Sequence, residues 1–83
     1  MEIGQIVIAK KGRDKGKTFV VISILDGYLY LADGKLRPLA KPKKKKPMHV
    51  QPTNTVADLT TDGRALQDAD IRKQLLIFSE KLG

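Results

Sequence analysis

Apolar residues along this chain fall into short runs punctuated by turn-forming and charged residues. Gln5 to Lys10 reads as a first strand, with Ile6 and Ile8 on one face and Gln5, Val7 and Ala9 on the other. Thr18 to Leu25 is apolar on both faces and rich in β-branched residues, the pattern of a strand that is central or that bends to serve two sides of a barrel. Asp26-Gly27 predicts a type I′ hairpin turn, because both residues tolerate positive φ. Tyr28 to Asp33 alternates, with Leu29 and Leu31 inward and Tyr28 and Tyr30 on the opposite surface, and Asp33-Gly34 closes it with another turn.

From Lys35 to Pro47 the periodicity disappears. Pro38, Pro42 and Pro47 block helix and ladder formation, and the expectation is a long exposed loop. His49 to Asn54 reads as a short strand, its Pro52 placing it at an edge or a strand end. Thr55 to Gln67 is a connection of mixed polarity with a turn at Asp62-Gly63. Ile71, Leu75, Phe78 and Leu82 then recur at spacings of three and four, predicting a helix from about Ala69 to Leu82 with Asp68 as N-cap, Asp70 favouring the N-terminus and Gly83 ending it. Three or four short strands closed by turns suit a small, half-open SH3-like barrel better than a sandwich. The expected fold is mainly β, with residues 1–56 forming the barrel, including a basic loop at 35–47. Residues 57–83 form a connection and a short C-terminal α-helix packed on the barrel.

A chain of 83 residues is one small domain, which buries only about 60% of its unfolded surface and has little room for an enclosed active site. It contains no cysteine, which excludes disulfides, thiolate metal sites and cysteine nucleophiles and fits a reducing, cytoplasmic setting. Its apolar runs are too short to cross a bilayer. The formal net charge is +7 and is unevenly distributed. Residues 10–46 hold twelve Lys or Arg against three Asp, a net +9, whereas the rest of the chain carries −2. A positive field confined to half the molecule is the mark of a polyanion-binding face.

The densest part of that field is the turn Lys10-Lys11-Gly12-Arg13-Asp14-Lys15-Gly16-Lys17. Its cations suit phosphates, and backbone N–H groups bared by Gly12 and Gly16 can approach phosphate oxygens or a base edge. Asp14 within it reads as a turn-forming side chain. Lys41, Lys43, Lys44, Lys45 and Lys46, with Lys35 and Arg37 before them, repel one another, bury nothing apolar and so need an anionic partner or water. Tyr28 and Tyr30 offer stacking surfaces to unpaired bases, while Phe19 suits the core. His49 stands without a second histidine or a cysteine, so no metal or general-base site is expected. No nucleophile with its base, carboxylate pair or phosphate-binding consensus before a helix occurs, so no enzyme, cofactor or small-molecule substrate is expected.

Gly4-Gln5-Ile6-Val7-Ile8, Lys11-Gly12-Arg13-Asp14-Lys15-Gly16-Lys17 and Val20-Val21 together resemble the KOW motif, in which a glycine flanked by basic residues lies between the first two strands of an SH3-like barrel. Gly16 matches its central glycine. The later order, Asp33-Gly34, a Lys/Pro loop and then His49-Val50-Gln51-Pro52-Thr53-Asn54, is similar to the branch containing large-subunit ribosomal protein fourteen of archaea and eukaryotes. In size it is similar to small stand-alone bacterial KOW proteins described as ribosomal-protein-like. The resemblance spans roughly Met1 to Asn54 and implies a barrel that binds RNA, with Lys11, Gly12, Arg13, Lys15, Gly16 and Lys17 at the motif's binding positions.

The leading expectation is thus a cytoplasmic, non-enzymatic RNA-binding protein that presents the Lys10 to Lys17 turn and the Lys41 to Lys46 loop as one basic surface to structured RNA. Its partner would be ribosomal RNA, with ribosomal proteins as neighbours and association with the ribosome or its assembly. The alternative is a protein-interaction module docking on the transcription or translation machinery through the helix stripe or the tyrosine face. Sequence-independent DNA binding shares the same electrostatics.

Overall fold

The computed structural model describes residues 1–82. Gly83, the expected helix terminator, and the side chain of Leu82 lie outside what is described. Five antiparallel strands form one sheet in the order β4-β3-β2-β1-β5, followed by one helix. They are β1 (Gln5–Ala9), β2 (Thr18–Leu25), β3 (Tyr28–Ala32), β4 (Lys43–Lys45) and β5 (Val50–Val56), and the helix α1 is Asp68–Leu82.

β2 is the middle strand, and its apolar residues serve both faces. Phe19 and Val21 join Val7, Ala9, Leu29, Leu31 and Val50 in one buried cluster. Val20 joins Ile6, Ala32, Ala57, Ile71 and Phe78 in a second, which α1 covers. The two-residue turn after β2 has φ of 53° at Asp26 and 80° at Gly27, as a type I′ hairpin requires.

The chain ends force the sheet to curl. β4 and β5 occupy opposite edges, four inter-strand spacings apart, about 19 Å if the sheet were flat. Only Lys46 to His49 join them, and Pro47–His49 is a single 3₁₀ turn, which rises only about 2 Å per residue. Register shifts between Val21 and Ser23 and between Gln5 and Val7 provide bulges that increase twist. The result is a small barrel-like fold in which the Lys10 N–H donates to the His49 carbonyl at 2.9 Å.

Two local expectations need correction. Lys43 to Lys45 is not loop but a strand, pairing Leu31 with Lys43, Tyr30 with Lys44 and Leu29 with Lys45. Pro42 and Pro47 bracket this strand rather than interrupt it, so no ladder donor is lost inside it. At the start of α1, Asp68 does not cap its own helix. Its Oδ1 accepts the Leu39 N–H at 2.7 Å, tying the helix to the segment before β4. The capping contact comes instead from Asp70, which accepts the Gln67 N–H at 2.9 Å and pairs with Arg64 at 2.6 Å.

Candidate nucleic-acid interface

Residues 10–17 connect β1 to β2 as an ordered, internally bonded turn. The Lys15 N–H donates to Gly12 O, the Lys17 N–H to Asp14 O and the Gly16 N–H to Ala9 O. Gly16 has φ of 88° and occupies the third position of the turn from Asp14 to Lys17, where such an angle is required. Its N–H is therefore already engaged, and Gly16 shapes the turn rather than offering a donor to a phosphate. The open donors lie one step earlier. Among the described residues, no acceptor faces the backbone N–H groups of Lys11, Gly12, Arg13 and Asp14.

Asp14 holds this turn to the rest of the molecule. It is 7% exposed, the one buried charged residue among those described. Its Oδ2 accepts from Arg37 Nη2 at 3.2 Å and lies 3.6 Å from Lys43 Nζ, while Lys17 Nζ stands 3.9 Å from Oδ1. Burial is the largest influence and disfavours the carboxylate. The hydrogen bond and charge of Arg37, with the charges of Lys43 and Lys17, outweigh it and hold the carboxyl below its usual range. Arg37 is aimed there by an Asx turn in which Asp33 Oδ1 accepts the N–H groups of Lys35 and Arg37, each at 2.9 Å.

β4 adds a second tie. Lys45 Nζ donates to the Lys11 carbonyl at 2.8 Å. Successive side chains alternate across a strand, so Lys43 and Lys45 reach toward the turn while Lys44 lies on the opposite face, its ammonium 4.3 Å from the centre of the Tyr28 ring. Two basic segments far apart in sequence thus form one surface. Across residues 10–46, nine cations have no ion-pair partner among the described residues: Lys10, Lys11, Arg13, Lys15, Lys35, Lys41, Lys44, Lys45 and Lys46.

Tyr28 and Tyr30 are half-buried on the β3 face opposite Leu29 and Leu31. Tyr28 pairs with Leu25, at the end of β2 remote from the turn, so the tyrosines join the basic surface only through Lys44. Phe19 is buried and offers no stacking face. His49 gives its carbonyl to Lys10, and no group of three or more His, Cys, Asp or Glu among the described residues could hold a metal ion. No helix among them is long and apolar enough to cross a membrane.

Sequence reasoning missed two features. Asp14 was read as a local turn former, although a lone acid among five cations was the available signal for a charge hub. Gly34 gave no signal beyond its turn. A Cβ there would meet the Asp68 carbonyl at 2.5 Å and Arg72 Cγ at 2.8 Å, so only glycine lets α1 rest on this turn. Arg72 Nη1 then donates to the Gly34 carbonyl at 2.6 Å. Beside this junction lies an open groove of about 580 Å³ between Gly16, Lys17 and Thr18, the Asp33 to Lys35 turn, and Arg72, Leu75 and Leu76 of α1.

A search against protein-family models found no match to this chain.

Proposed function

We propose that this protein is a KOW-type RNA-binding module that uses the turn from Lys10 to Lys17 and the strand Lys43 to Lys45 as one surface for structured RNA. Ribosomal RNA is the proposed partner, in the cytoplasm, within the ribosome or during its assembly, with ribosomal proteins as neighbours. The role is binding rather than catalysis. The observation that carries this reading is the convergence of Arg37 and Lys43 on Asp14, with Lys45 on the Lys11 carbonyl. One anion and one backbone carbonyl organise these cations from within and leave the outer ones facing solvent. Those supply affinity by counterion release, while the open N–H groups of residues 11–14 suit phosphate oxygens at close range. Recognition of this kind reads the shape of a folded RNA more than its base sequence.

Crosslinking the protein to RNA in cells and sequencing the bound fragments tests the reading. Enrichment of a segment of large-subunit ribosomal RNA is expected. Retention on RNA polymerase after complete RNase digestion, without RNA crosslinks, would overturn it in favour of a protein-docking role.

A further inference from the structure

The groove beside the turn combines two chemistries that the basic surface does not explain. Its rim bears Lys17, Lys35 and Arg72, and its one carboxylate, Asp33, already accepts two backbone N–H groups through Oδ1. Its helix side presents the neighbouring residues Leu75 and Leu76. Leu75 backs onto the core cluster, but Leu76 is 60% exposed and is not among the residues that build either cluster. Arg72 is held along the rim by its bond to the Gly34 carbonyl and has no carboxylate partner among the described residues.

We propose that this groove receives a single unpaired nucleotide from the RNA bound at the adjacent turn. Its phosphate sits between Lys17 and Lys35, and its base lies on Leu75 and Leu76. The inference rests on the RNA-binding reading above. Cations beside a small apolar floor complement a nucleotide, anionic at one end and flat and weakly polar at the other. The volume falls within the roughly 300–1,000 Å³ of sites that enclose small ligands. Gly16, Lys17 and Thr18 belong both to the groove and to the end of the basic turn, so a strand tracking the turn reaches the groove without leaving the surface. An acidic peptide helix would need an apolar floor several turns long, and here it is two consecutive leucines.

The test is fluorescence anisotropy with the full chain and two stem-loop RNAs that differ only by one unpaired adenosine in the stem. The wild-type protein is expected to prefer the bulged RNA by about tenfold. Leu76→Glu, a change at an exposed helix position, is expected to abolish the preference while leaving affinity for the uninterrupted stem within about twofold. Equal wild-type affinity for the two RNAs would overturn the inference and leave RNA binding by the turn intact. A preference undiminished in Leu76→Glu would overturn it too, because the base would then not lie on the leucines. Failure to bind either RNA would remove the RNA-binding reading and this inference with it.

Discussion

At the scale of single residues, Asp14 decides how the basic surface is held. Its carboxyl titrates below its ordinary value of 3.8 in the folded chain. A depressed folded pKa means that its contribution to stability is fully present above pH 4 and is lost as pH falls through the lower, folded value. Asp14→Asn should therefore lower the melting temperature at pH 7, with about 1–3 kcal/mol of stability lost. The gap from wild type should narrow as pH falls below 3.8 and close once it passes the lower, folded value; melting curves from pH 7 downward check both the size and the closing. Gly16 makes the second residue-scale case. A Cβ there would meet nothing within 4 Å, so the penalty of Gly16→Val lies in the backbone at φ of 88°, about 1–2 kcal/mol. Reshaping the turn should weaken RNA affinity about tenfold, more than any single Lys→Ala between residues 10 and 17, with the barrel still folded. Equal losses in a titration of these variants would mean that the turn contributes charge alone.

At the scale of elements, what the sequence made legible follows the physics of each segment. β2 is recognisable because a both-faced apolar run has few other uses, and its two faces do line two clusters. Helix α1 is recognisable from Ile71, Leu75 and Phe78, of which Ile71 and Phe78 are buried. β4 was hidden because lysine has little strand preference and because its stabilising partners are remote: Asp14, the Lys11 carbonyl and the Tyr28 ring. An edge strand of lysines is a familiar guard against edge-to-edge aggregation, but that logic appears only once the edge is known. The docking of α1 on Gly34 was likewise invisible, since it depends on contact between segments more than 30 residues apart. Gly34→Ala should push the Asp33 to Lys35 turn off the Asp68 carbonyl and destabilise the protein by about 2 kcal/mol. That corresponds to roughly 8–15 °C in melting temperature by circular dichroism for a domain of this size.

At the scale of the whole molecule, a net charge of +7 conceals a division of labour. The half from Lys10 to Lys46 carries the excess, and the curl of the sheet gathers β4 and the β1–β2 turn together. The charge division and the sharing of one surface by the turn and the Lys41 to Lys46 segment were expected from sequence, whereas the contacts that join them were not, because they run through Asp14 and the Lys11 carbonyl. If this joined surface contacts about six phosphates, affinity should fall by about a thousandfold between 50 and 200 mM salt. The direct measurement is the dissociation constant for large-subunit ribosomal RNA across that salt range, for the wild type and for a variant with Lys11, Lys15, Lys44 and Lys46 changed to Ala. None of these four lysines takes part in an ion pair among the described residues. The account predicts a steep slope for the wild type and a markedly shallower slope with weaker binding for the variant. A flat wild-type slope, or a variant that binds like the wild type, would contradict it.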